Sequence, residues 1–131
     1  MVAYSFQPRF APLIREGVKR QTVRGYRDRH ARPGEYLQLF TGLRTASATK
    51  IVEDPVCTEV LPVRIGFASG RIARIEVAGM PVLSLDGFAA ADGFESLDDM
   101  TAFWLERHGA KDFEGVVIEW AMPRWRGGRP G

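Results

Sequence analysis

The chain reads as an α+β domain, a small mixed β-barrel with two or three flanking helices. Three observations predict it. Apolar residues recur at alternate positions in residues 36–41 and 57–67, and Val116-Val117-Ile118-Glu119-Trp120 is strongly β-prone. Between Ser96 and Gly109 the spacing changes, and Met100, Phe103, Trp104 and the stem of Arg107 recur as on one helix face. A length of 131 residues, 45% of them hydrophobic and 26% charged, suits one domain with a single core. Leu37, Leu39, Phe103 and Val117 are its expected core residues.

Taken in order, residues 2–6 alternate weakly and form a first strand. Pro8 and Pro12 frame a short helix over residues 10–16, in which Phe10, Leu13 and Ile14 share a face. Gly17 closes it, because glycine readily takes the left-handed conformation that ends helices. Residues 21–24 are a second strand, followed by an arginine-rich loop over 25–33. Pro33-Gly34 turns the chain into the strand at 36–41. Gly42-Leu43-Arg44-Thr45 is a tight connection to a strand at 49–52, which Glu53-Asp54-Pro55 breaks. The stretch at 57–67 pairs with 72–77 through Ser69-Gly70, and Ala78-Gly79-Met80-Pro81 interrupts as a bulge or turn. Residues 85–91 make a short helix with Asp86 near its start, and Asp92-Gly93-Phe94-Glu95 a loop. Ser96 caps the long helix, with Asp99 at its third position. Residues 116–120 close the sheet. One domain over residues 1–123 is expected, with a flexible basic tail at 124–131 that carries Arg124, Arg126 and Arg129.

No apolar run approaches the ~18 residues of a membrane-spanning helix. Gln7, Pro8, Arg9 and Arg15 interrupt the early apolar residues too often for a leader. A soluble cytoplasmic protein is expected, of unspecified oligomeric state. Cys57 is the only cysteine, and beside Val56 and Val60 it reads as a small buried strand residue. With His30 and His108 the only histidines, neither a metal site nor a cofactor is expected. The net charge of +2 is unevenly spread. Arg15, Lys19, Arg20, Arg24, Arg27, Arg29 and Arg32 face only Glu16 and Asp28 in their stretch, and acids gather between Asp86 and Asp99. The asymmetry points to an anionic partner on one face, or to an ordinary solvated basic surface.

Three stretches carry candidate chemistry. In Gly17-Val18-Lys19-Arg20-Gln21-Thr22-Val23-Arg24 an amine, a hydroxyl and a guanidinium lie close together. Thr22 and Arg24 share one strand face; Lys19 alternates to the other unless the turn swings its stem back. Arg20 and Arg24 disfavour the charged form of Lys19, a neutral amine can take the Thr22 proton, and Arg24 can hold an oxyanion or a phosphate. The plainer alternative is a helix-to-strand connection with solvated cations. In Gly25-Tyr26-Arg27-Asp28-Arg29-His30-Ala31-Arg32, arginines can reach phosphates and Tyr26 can stack on a base; otherwise the loop is mobile and Tyr26 covers the barrel rim. In the third, Asp92-Gly93-Phe94-Glu95, the acid serves as a general acid or a base-edge contact, or only shapes a turn.

Phe6-Gln7-Pro8-Arg9-Phe10, the Gly17-Val18-Lys19 turn, Gln21-Thr22-Val23-Arg24, His30-Ala31-Arg32-Pro33-Gly34-Glu35, Leu37-Gln38-Leu39-Phe40-Thr41-Gly42 and Arg44-Thr45 together resemble ASCH domains of the PUA-like superfamily, in their small single-domain bacterial and phage type. Asp92-Gly93-Phe94 before a helix resembles the second part of that pattern. The resemblance implies a PUA-like barrel, a basic cleft beside the 17–24 turn, and RNA or a modified nucleoside as ligand. Arg9, Lys19, Arg24, Tyr26, Arg27, Arg29 and Arg44 are the expected ligand contacts. One branch of the family is an amidohydrolase of N4-acetylcytidine, and carried across it would make Lys19 the base, Thr22 the nucleophile and Asp92 the acid. That branch has a glutamate where this chain has Asp92, so Glu95 is the other candidate. The middle, residues 46–80, is also longer here.

Overall fold

The computed structural model describes residues 2–122, and the tail expected at 124–131 lies outside the described residues. Strand β1 (Val2–Phe6) opens the chain and buries Val2, Tyr4 and Phe6 on one side. A 3-10 turn (Pro8–Phe10) leads into helix α1 (Ala11–Arg15), which is shorter than the expected 10–16. The two prolines explain this, since each is tolerated only in a first turn. Gly17, at φ 78°, reverses the chain, and the N–H groups of Val18 and Lys19 both donate to Leu13 O. Strands β2 (Gln21–Arg24) and β3 (Leu37–Thr41) follow as expected. Strand β4 (Thr49–Lys50) stops short of the expected 49–52. Ile51 N–H still donates to Leu39 O, but pairing resumes only where Leu37 N–H donates to Pro55 O.

Strands β5 (Val56–Ala68), β6 (Arg71–Val77) and β7 (Met80–Pro81) form consecutive hairpins. Ser69 and Gly70 have φ of 54° and 74°, and Ala78 and Gly79 of 53° and 81°. Positive φ at both positions is the turn geometry whose twist matches that of flanking strands. The interruption expected at 78–81 is therefore a hairpin turn with a short edge strand. Helices α2 (Leu85–Ala91) and α3 (Leu97–His108) are capped by Ser84 and Ser96, whose hydroxyls accept from Gly87 N–H and Asp99 N–H. Strand β8 (Phe113–Ala121) extends the expected 116–120 at both ends.

The strands form two sheets, ordered β1-β3-β4 and β2-β8-β5-β6-β7, so the fold is α+β with three helices. Only β1 and β3 pair in parallel. β8 lies between β2 and β5 instead of closing an edge. The expected barrel is not closed. The start of β5 serves both sides at once: Val56 and Cys57 pair with Ala121 and Trp120 of β8, while Tyr36, just ahead of β3, bridges Val56 and Cys57 N–H donates to Glu35 O. That links the sheets on one side. On the other, β1 and β2 remain outer edges, joined by a side chain: Arg24 Nη2 donates to Ser5 O at 2.8 Å. There the chain between the two edges passes through α1, and the Arg24 guanidinium lies over the rings of Tyr4 and Phe6 of β1.

The core draws Leu37 and Leu39 from one sheet and Val63, Ile65, Val117 and Ile118 from the other, with Met100 and Trp104 of α3 against them. Phe103 is only partly buried, because it faces the cleft described below. Cys57 is buried as expected, and burial pushes its thiol up. Among the described residues no helix is long and apolar enough to cross a membrane.

Candidate functional site

The seam between β1 and β2 opens into a cleft of about 470 Å³, within the size range of small-molecule sites. Lys19, Thr22, Arg24 and Asp92 all line it, together with Ser5, Phe6, Phe10, Phe94, Phe103 and Arg107. Backbone contacts fix Lys19 from both sides. Its N–H donates to Leu13 O, and the next N–H, of Arg20, donates to Ala91 O at the end of α2. The stem therefore swings back from the turn, and Lys19 is only 2% exposed.

Asp92 is not in a free loop ahead of a helix. It is the C-cap of α2, followed by Gly93 at φ 94°, with Gly93 N–H donating to Ala90 O and Phe94 N–H to Ala89 O. This left-handed cap directs the Asp92 carbonyl toward the Lys19 amine, which donates to it at 2.5 Å and to Gln21 O at 2.8 Å. A cation at a helix C-terminus is also favoured by the helix dipole. Lys19 Nζ lies 3.8 Å from Asp92 Oδ1, which accepts from Gln21 Nε2 at 3.4 Å. Glu95, the other candidate acid, is exposed and outside the cleft.

Burial sets the electrostatics of the pair. It draws the Lys19 pKa down to about 8, against the opposing attraction of Asp92, with Arg24 adding a smaller downward push. Arg20, expected to contribute, is not among the causes. Burial likewise raises the Asp92 carboxyl, opposed chiefly by Lys19. Thr22 and Arg24 share a strand face as expected, and Thr22 Oγ1 accepts from Arg24 Nε at 3.1 Å. Among the described residues no hydrogen bond joins Lys19 to Thr22, so proton transfer between them needs a rearrangement or a bridging group.

Aromatic rings interleave with the cations along the seam. Arg27 lies over Tyr4 at 4.6 Å, Arg24 over Phe6 at 4.8 Å, Lys19 over Phe10 at 4.9 Å, and Arg9 over Phe10 at 5.0 Å. Sequence reasoning had not placed Tyr4, Phe6, Gln21, Phe103 or Arg107 at the site. The i, i+2 spacing of Tyr4 and Phe6 on β1 was the available signal.

The remaining expected contacts divide. Arg27 and Arg44 line a neighbouring cleft that also contains Arg24. Arg9 bonds Asp99 at 2.5 Å, and Arg29 grips both oxygens of Glu35, so neither lines a cleft. Tyr26 is 65% exposed and lines neither. The arginine-rich loop is tied to β1, not loose over a barrel rim. Ala31 N–H donates to Tyr4 OH at 3.1 Å, Tyr4 OH meets His30 Nδ1 at 2.9 Å, and His30 Nε2 meets Gly25 O at 2.8 Å. Among the described residues no cluster of histidine, cysteine, aspartate and glutamate is placed to hold a metal ion.

No family model, curated protein or solved structure matches the chain.

Proposed function

We propose that the cleft between β1 and β2 binds RNA or a modified nucleoside, as the resemblance to ASCH domains implies. The observation that carries this reading is the buried Lys19–Asp92 pair, which presents a polar floor beneath the rings of Phe6, Phe10, Phe94 and Phe103. A nucleobase has that profile, with flat apolar faces and a hydrogen-bonding edge. Thr22, Arg24 and Arg107 supply further donors around the floor.

A second reading, hydrolysis of the acyl amide of N4-acetylcytidine or a related N4-acylated cytidine, is favoured by the lowered pKa of Lys19. The Thr22 oxygen would attack the acyl carbon while Lys19 takes its proton. Lys19 would return that proton to N4 as the acyl–N4 bond breaks and cytidine leaves, and water would then hydrolyse the Thr22 ester to release acetate. Asp92 would hold and polarise the Lys19 amine.

Thr22→Ala separates the two. For a binding site, the loss is one hydrogen bond, about 0.5–1.5 kcal/mol of affinity by calorimetry. For the hydrolase, cytidine and acetate release by wild type is expected to vanish in Thr22→Ala while N4-acetylcytidine still binds. Folded wild-type protein that releases no cytidine from any N4-acylated cytidine eliminates the hydrolase. Failure to bind any nucleoside or RNA eliminates both readings.

A further inference from the structure

We propose that the neighbouring cleft is a phosphate subsite, so that the ligand is a nucleotide or a nucleotide within a chain, in preference to a free nucleoside. The inference rests on the nucleoside reading of the first cleft. This second cleft, of about 420 Å³, is bordered by Tyr4, Ser5, Arg24, Arg27 and Arg44. Ser5 and Arg24 line both clefts, so the two adjoin across one guanidinium.

Among the described residues no ion pair neutralises the charge there, though Asp92 attracts Arg24 from across the first cleft. Arg9, Arg29, Arg64, Arg71 and Arg74 each bond a carboxylate. Among the described residues Arg24, Arg27 and Arg44 pair with none, and no acid lines the cleft. Arg24 uses Nε on Thr22 Oγ1 and Nη2 on Ser5 O, which leaves Nη1 to donate. Arg27 uses only Nε, on Arg29 O. Burial lowers Arg24 to about 10, a cost that an anion at the junction relieves.

The backbone around Arg44 is a second, independent sign. Arg44 has φ of 116°, a conformation disfavoured for any residue with a Cβ. The turn that imposes it is closed by Thr45 N–H and Thr45 Oγ1, both donating to Gly42 O. Strain held this way at the border of a basic cleft fits a guanidinium placed for an anion. A phosphate accepts from several arginines at once, and a base seated in the first cleft would bring its own or an adjacent phosphate to the junction.

The test is calorimetry on the full chain with the common ribonucleosides, their 5′- and 3′-monophosphates, glycerol 3-phosphate and inorganic phosphate. A monophosphate is expected to bind about tenfold or more tighter than its nucleoside, the effect of one charge-assisted hydrogen bond, with a margin that shrinks as salt rises. Arg27→Gln with Arg44→Gln should cut that margin severalfold, to what Arg24 alone supplies, and leave nucleoside affinity unchanged, since neither residue lines the first cleft. Nucleoside binding with no gain from phosphate, or a gain undiminished by both substitutions, overturns the subsite and spares the nucleoside reading. Glycerol 3-phosphate binding as tightly as the best nucleotide overturns the nucleotide assignment. No binding of any probe overturns the subsite, and no binding of single-stranded RNA either overturns the nucleoside reading with it.

Discussion

Lys19 sits where burial lowers its pKa to about 8 while Asp92 pulls it back up. Replacing Asp92 by Asn removes that attraction, so Lys19 should titrate lower in Asp92→Asn than in wild type, as read from nitrogen-detected NMR of Nζ. Stability should follow the same shift. From the ordinary 10.5 down to about 8 the unfolded chain holds the Lys19 proton and the folded chain does not. Folding is therefore opposed below about 8, and stability rises as pH climbs toward 10.5, by about 3 kcal/mol in all. Denaturant melts of wild type should show this rise, and Lys19→Met should flatten it. The grouping of Lys19, Thr22 and Arg24 was legible from spacing and from the resemblance. The reason for the lowered pKa was not, because neighbouring charges are visible in sequence and burial is not. Choosing Asp92 over Glu95 likewise required knowing where α2 ends.

At the scale of elements, the α2 cap and the turn after α1 both rest on a glycine, but they should respond differently to alanine. Gly17 has φ of 78° and open space around its Cβ position, so Gly17→Ala bears conformational strain alone, about 1–2 kcal/mol. Gly93 has φ of 94°, and a Cβ there falls 2.8 Å from Lys19 Cδ and 3.1 Å from Phe10 Cδ1. Gly93→Ala should cost more in a urea melt than Gly17→Ala, and should weaken nucleoside binding because it displaces Lys19. Equal costs with unchanged binding would mean that the cap does not position the lysine. Most elements were legible because their signals are local: Ser84 and Ser96 as caps, Ser69-Gly70 as a turn, alternation in β3. α1 came out shorter than read, where Pro8 and Pro12 interrupt a donor-dependent pattern, and β4 came out shorter because the chain leaves β3 between Ile51 and Pro55.

Over the whole molecule, one core joins both sheets, which implies one cooperative unit. Leu39→Ala in β3 and Ile118→Ala in β8 should each cost about 2–5 kcal/mol, with fluorescence and circular dichroism melting together. Separate transitions would mean that the start of β5 does not couple the sheets. Leu37, Leu39 and Val117 were correctly read as core from alternation alone, whereas Phe103 shares its helix face with the cleft. The open seam was not legible, because whether two edges pair depends on what lies between them and not on either strand. A side-chain fastening also has its own clock. Widening the cleft requires Arg24 to leave Ser5 O, the loss of one side-chain hydrogen bond, whereas unzipping a strand ladder breaks several backbone bonds together. On the nucleoside reading proposed above, the residence time of a ligand would then be set by the contacts it makes at the Lys19 floor.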